Sequence, residues 1–131
     1  MGKKFLIDTN VIIDYYGSRL PEKGIMFIEN IDVPLVSVIT QIELLGWYRI
    51  SVKDKIKLQE FIEDATVIQL EDSIVKRTIE LRQLSKIKLP DAIVAATALD
   101  NHLDLISHNI SDFKNIAGIK VIDPWNLGGG R

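Results

Sequence analysis

The stretch Phe5-Leu6-Ile7-Asp8-Thr9-Asn10-Val11-Ile12-Ile13-Asp14-Tyr15-Tyr16 changes its period partway along. Phe5–Asp8 is an unbroken apolar run closed by an acid, which reads as a strand covered on both faces. Asn10–Tyr16 then sets apolar residues three and four apart, which reads as a helix. The same alternation continues to the far end of the chain. Further strands are expected at Leu35–Ile39, Thr66–Leu70, Asp104–Ser107 and Lys120–Ile122. Helices are expected at Glu22–Ile31, Gln41–Ile50, Lys53–Asp64, Ser73–Lys86 and Asp91–Asn101, with a short turn near Asp112–Ile116. Ala92–Leu99 is small and apolar nearly all round, so its helix should pack centrally. Strand and helix in strict alternation imply an α/β fold, a three-layer α/β/α sandwich with a parallel, doubly wound sheet of about five strands. Such sheets bind ligands at the carboxyl ends of their strands.

Composition narrows what a ligand can be. The chain has 131 residues, 47% of them apolar and 26% charged, which suits one globular domain and argues against disorder. That domain is expected over residues 1–127, with Gly128-Gly129-Gly130-Arg131 as a flexible tail. There is no cysteine, so disulfides, a thiol nucleophile and thiolate metal sites are excluded. No apolar run reaches the ~18 residues of a membrane span, and the start lacks signal-peptide architecture, so a cytoplasmic, membrane-free protein is expected. A net charge of −2 rules out holding nucleic acid by bulk positive charge. Any such binding must come from a local site.

At the strand ends the residues are mostly acidic. Asp8 closes the first strand, and Glu43 lies one helical turn past the second. Asp91 stands in the first turn of the central helix. Asn109 and Asp112 follow the fourth strand. In a parallel sheet all of these places open on one edge. Each also has a local structural use. Thr40-x-x-Glu43 spells a capping box, in which Glu43 reaches back to the Thr40 amide. Pro90 at the first helical position and Asp91 after it suit a helix start. Ser111 or Asn109 could cap the short turn. Asp8 is harder to dismiss in this way, because a short acid ending a buried strand cannot reach water, and burying it unpaired is costly.

The two uses are compatible, since an acid at a helix N-terminus is held ionised and oriented. Several converging carboxylates raise one another's pKa unless a cation sits among them. All-oxygen donors without cysteine select Mg²⁺, with Mn²⁺ as substitute. Such an ion activates water and steadies charge on a phosphate, so metal-dependent phosphodiester hydrolysis is the chemistry expected.

Four blocks then resemble the PIN-domain family, specifically its small VapC-type toxins. They are Phe5-Leu6-Ile7-Asp8-Thr9-Asn10-Val11-Ile12, Ser37-Val38-Ile39-Thr40-Gln41-Ile42-Glu43-Leu44, Leu89-Pro90-Asp91-Ala92-Ile93-Val94-Ala95 and Ile106-Ser107-His108-Asn109-Ile110-Ser111-Asp112-Phe113. They stand in the family's order across nearly the whole chain. The resemblance implies a Mg²⁺-dependent ribonuclease acting on RNA, commonly a homodimer neutralised by a cognate antitoxin. It puts Asp8, Glu43 and Asp91 on the family's first three acidic positions. The family often has Asp where Asn109 stands, and Asp112 would then supply the fourth charge. Thr9 and Asn10 would orient Asp8, or else cap the first helix.

Other residues point less sharply. His108 reads as a surface residue beside the acids or as a general acid or base. His102 reads as a last-turn residue of the central helix. Five basic residues against one acid between Ser73 and Pro90 (Lys76, Arg77, Arg82, Lys86 and Lys88 against Glu80) read as a solvated face or an RNA-backbone guide. Tyr15-Tyr16 and Trp47-Tyr48 could stack bases, but on short amphipathic helices they read first as packing or dimer contacts. By analogy with the family, helices Glu22–Ile31 and Gln41–Ile50 would dock an antitoxin whose Arg or Lys meets Asp8 and Asp91. Two rivals remain at this level: a catalytically silent PIN-like interaction domain, and another α/β phosphotransfer enzyme. A dehalogenase-like phosphatase would want an acid at position 10, where Asn10 stands, and a receiver domain an acidic pair near the first strand.

Overall fold

The computed structural model describes residues 3–127, so the expected tail at 128–131 lies outside the described residues. Five strands form one sheet: β1 (Phe5–Ile7), β2 (Leu35–Ser37), β3 (Thr66–Ile68), β4 (Asp104–Ile106) and β5 (Val121–Ile122). Their order is β3-β2-β1-β4-β5 and every pairing is parallel. The helices are α1 (Thr9–Tyr16), α2 (Glu22–Glu29), α3 (Val38–Leu45), α4 (Val52–Asp64), α5 (Asp72–Leu84), α6 (Leu89–Asp100) and α7 (Ile110–Phe113).

The side-chain period of two along each strand separates the core into two halves. Leu6 pairs with Leu105, and both face Ala92, Ala95 and Ala98 of α6 and Phe113 of α7. Ile7 pairs with Ile106, and both turn to the other face, onto Val11 and Ile12 of α1, Leu44 of α3 and Leu58 of α4. Each such aliphatic side chain, fully removed from water, contributes roughly 1.5–3 kcal/mol. Helices therefore cover both faces, giving the three layers expected from the sequence. In α6 every residue from Ala92 to Ala98 is buried, and its small side chains let it lie close to both the sheet and α5.

Several boundaries differ from the sequence reading, each for a local reason. The second strand stops at Ser37, whose hydroxyl accepts from the Ile39 amide, so α3 starts at Val38. The expected capping box at Thr40 and Glu43 is therefore absent: Thr40 is buried inside the helix. Gly46 ends α3 well short of Ile50, which leaves Trp47 and Tyr48 in a turn rather than on a helix. Leu89, not Pro90, is the first residue of α6. His102 lies beyond α6 with φ of 55°, outside the last turn where it was expected. The short helix begins at Ile110, and Asn109 precedes it without a side-chain cap bond.

Candidate active site

Strand order decides where side chains can meet. From β1 the chain steps outward to β2 and β3, then returns to the opposite side of β1 as β4 and β5. The switch lies between β1 and β4, where the connections following the two strands part and leave a crevice. Asp8 is the first residue past β1, and Ser107 the first past β4.

Asp8 is only 5% exposed and serves as the N-cap of α1. Its Oδ1 accepts from the Thr9 amide at 2.9 Å. Its Oδ2 accepts from the Ser107 hydroxyl at 2.8 Å and from Asn10 Nδ2 at 3.3 Å. Burial pushes the Asp8 carboxyl up to about 6, against the pull of the Ser107 and Thr9 hydrogen bonds. The charges of Asp91 and Glu43 raise it further, which places both acids within electrostatic reach. Mutual repulsion, the cause expected from the sequence, is thus the smaller one.

Glu43 projects from the exposed side of α3, and its Oε1 accepts from the Thr9 hydroxyl at 2.6 Å. Thr9 therefore serves Asp8 through its backbone and Glu43 through its side chain, rather than orienting Asp8 alone. Its hydroxyl also lies 3.0 Å from that of buried Thr40. Asp91, in the first turn of α6, is half-buried. Its carboxyl is raised first by burial, then by the charges of Asp112 and Glu43, while Lys88 opposes the rise. Asp91 and Asp112 line one groove. The four acids are thus linked through Asp91, which feels Asp112 and Glu43 and is itself felt by Asp8.

Asn109 is exposed, and its backbone N–H donates to the Ser107 hydroxyl at 3.0 Å. Asn10 is held from both ends: its Oδ1 accepts from the His108 amide at 3.2 Å while its Nδ2 donates to Asp8. His108 is not a plain surface residue. Its Nδ1 lies 3.1 Å from Asp123, a carboxylate only 8% exposed. Asp123 also accepts from the Trp125 amide and Asn126 Nδ2, and the Trp125 ring lies tilted against the imidazole. Sequence reasoning missed Ser107 and Asp123. An aspartate just after a strand end was a usable signal for the second; a lone serine offered none for the first.

Three carboxylates and the buried Asp8 make an oxygen-only donor set, whose chemistry fits a hard divalent cation. Among the described residues no three Asp, Glu or His side chains are grouped tightly enough to hold a metal as they stand. Asp8, Glu43, Asp91 and Asp112 concentrate negative charge, and burial and repulsion draw Asp8 and Asp91 toward protonation. A cation would relieve both.

The PIN domain family model matches residues 5–119. Among solved structures, a toxin–antitoxin complex from Klebsiella pneumoniae contains a chain 31% identical to this one. The match covers 93% of this chain and 98% of that one, with a TM-score of 0.77. DNA-bound VapBC from Salmonella typhimurium is 25% identical over 94% of this chain and 99% of its own, with a TM-score of 0.78. VapBC2 from Rickettsia felis, bound to a promoter DNA fragment, is 20% identical with a TM-score of 0.77 over 90% and 96%, a likeness of fold alone. No curated protein matches the sequence.

Proposed function

This chain is a member of the PIN domain family, and from that premise we propose that it is a metal-dependent endoribonuclease, the toxin of a toxin–antitoxin pair. The observation that carries the reading is buried Asp8 at the β1–β4 switch, pinned by Ser107 and facing the charges of Asp91 and Glu43. Family membership sets aside the other α/β phosphotransfer enzymes. The intact acids argue against a silent interaction domain.

Asp8, Glu43, Asp91 and Asp112 would hold Mg²⁺ or Mn²⁺, which would supply water activation and charge neutralisation for hydrolysis of a phosphodiester to a 5′-phosphate and a 3′-hydroxyl. The chain's own residues prepare that site. Ser107, Thr9 and Asn10 fix the Asp8 carboxylate in one orientation, so no rotamer freedom is lost on binding. Asp8 holds its proton more tightly than an ordinary carboxyl, so below about pH 6 a cation would have to displace a proton from its oxygens. Thr9 fixes Glu43 beside it.

The choice of RNA over DNA rests on the family resemblance. A cognate antitoxin is supported by the toxin–antitoxin complexes among the structural neighbours. Its tail would set an Arg or Lys against Asp8 and Asp91, since a planar guanidinium pairs with carboxylate oxygens. Exposed Ile42, Trp47 and Tyr48, at and just past the end of α3, offer apolar area for the antitoxin or for a homodimer. None of the helices among the described residues is long and apolar enough to cross a membrane. Sequencing the RNA ends that appear in cells on expression of the wild type and of Asp8→Asn tests the reading. New 5′-phosphate ends confined to the wild type are expected.

A further inference from the structure

The link between α5 and α6 runs Ser85-Lys86-Ile87-Lys88. Ser85 (φ −154°, ψ 166°) and Lys88 (φ −68°, ψ 150°) at its two ends are both extended. Side chains alternate sides along an extended backbone. Ile87 is buried in the same core cluster as Leu6 and Ala92, while Lys86 and Lys88 are exposed. Both lysines line a groove of about 250 Å³ together with Ser111 and Asn115, and the same groove reaches Asp91 and Asp112.

Of the basic run that precedes Asp91, Arg77 is already committed, with its Nε 3.6 Å from Asp100. Lys86 and Lys88 make no ion pair among the described residues. Lys88 is near enough to Asp91 to lower its pKa against the other influences on it. A polyanion approaching a cluster of acids needs local positive charge, and a chain of net charge −2 has none to spare in bulk. Among the described residues no aromatic side chain lines the groove, so it offers charge and hydrogen bonds but no stacking platform for bases.

We propose that Lys86 and Lys88 hold the phosphates of single-stranded RNA along this groove, with Ser111 and Asn115 as hydrogen-bond partners, so that the backbone enters the site past Asp112 and Asp91. The inference rests on the ribonuclease reading and extends it. Contacts of this kind position a strand without reading its sequence.

The test measures binding of a short fluorescein-labelled single-stranded RNA to Asp8→Asn protein by anisotropy over a range of salt concentrations. The same measurement follows with Lys86→Gln and Lys88→Gln added. For single strands each neutralised phosphate contributes a slope of about 0.7 in log affinity against log salt, so the double change should lower the slope by about 1.4. In the catalytically intact protein the same pair should raise KM with kcat retained. Lys53→Gln with Lys55→Gln, an equal charge change on the exposed side of α4, should leave KM unaltered. An unchanged slope and KM in a protein that still cleaves RNA overturns the groove and spares the nuclease reading. A fall in kcat at constant KM overturns the groove as well. Absence of both binding and cleavage in the unaltered chain overturns the two together.

Discussion

The hydroxyl of Ser107 donates to the carboxylate of Asp8 at 2.8 Å, joining residues 99 positions apart in the chain. The contact bridges the two strand ends between which the sheet changes direction, and it is buried. It lowers the pKa of Asp8 while burial raises it. Ser107→Ala should therefore move the acid limb of the pH–rate profile upward and lower activity roughly 10- to 100-fold, the range for removing a ligand's orienting partner. Rate measurements from acid to neutral pH check this. An unmoved profile would show that Ser107 has no hold on Asp8.

The stability of the metal-free protein should carry the mark of Asp8. Its carboxyl sits at about 6 in the fold against an ordinary 3.8, so the folded state binds the proton more tightly than the unfolded chain. The favourable contribution is complete below about pH 4 and is lost as pH rises through 6, a change of roughly 3 kcal/mol. Asp8→Asn should remove that dependence and leave the protein more stable than wild type at pH 7. Urea unfolding in EDTA across this pH window measures both.

Asp112 and Asn109 compete for the fourth position of the site, and their surroundings differ. Asp112 shares a groove with Asp91 and raises its pKa. Asn109 is tied through its backbone to Ser107. Asp112→Ala should weaken Mg²⁺ binding and cost more activity than Asn109→Ala. Calorimetric titration with Mg²⁺, alongside initial rates for both variants, decides it.

Much of this was legible in the sequence, and the residues show why. Phe5–Ile7 and Ala92–Leu99 are apolar on all sides, and only a doubly covered sheet and a central helix accommodate such runs. Asp8 and Asp91 stood out because a strand end and a helix start fix where their side chains go. Thr40 and Glu43 misled because Ser37, three residues earlier, caps the same helix, and a local motif does not reveal which candidate wins. Ser107 could not be read at all, and Asp123 showed only as an acid after a strand end, with nothing to pair it with His108. Their meaning depends on which strands become neighbours, and that is a property of the fold rather than of any short segment.

His108 should prove a fixture of that fold more than a reacting group. Its Nδ1 is engaged by Asp123, which Trp125 and Asn126 also hold. Asp123→Ala would strand these donors and should cost on the order of 1–3 kcal/mol of stability. His108→Ala should leave kcat within a few-fold of wild type. Thermal unfolding and single-turnover rates separate the two effects.

Cation dependence should follow the oxygen-only donor set. Mg²⁺ and Mn²⁺ should each restore activity to protein stripped with EDTA, whereas Ca²⁺ should bind without supporting comparable turnover. Full activity in EDTA would point to cleavage through the RNA 2′-hydroxyl.

Cleavage of end-labelled RNA by the purified wild type and by Asp8→Asn, each with Mg²⁺ and with EDTA, tests the central claim most directly. Cut RNA is expected only for the wild type with Mg²⁺, with a loss of more than roughly 100-fold in the variant, beyond what outer partners of a metal site contribute. Asp8→Asn cutting RNA at the wild-type rate in Mg²⁺ would contradict it.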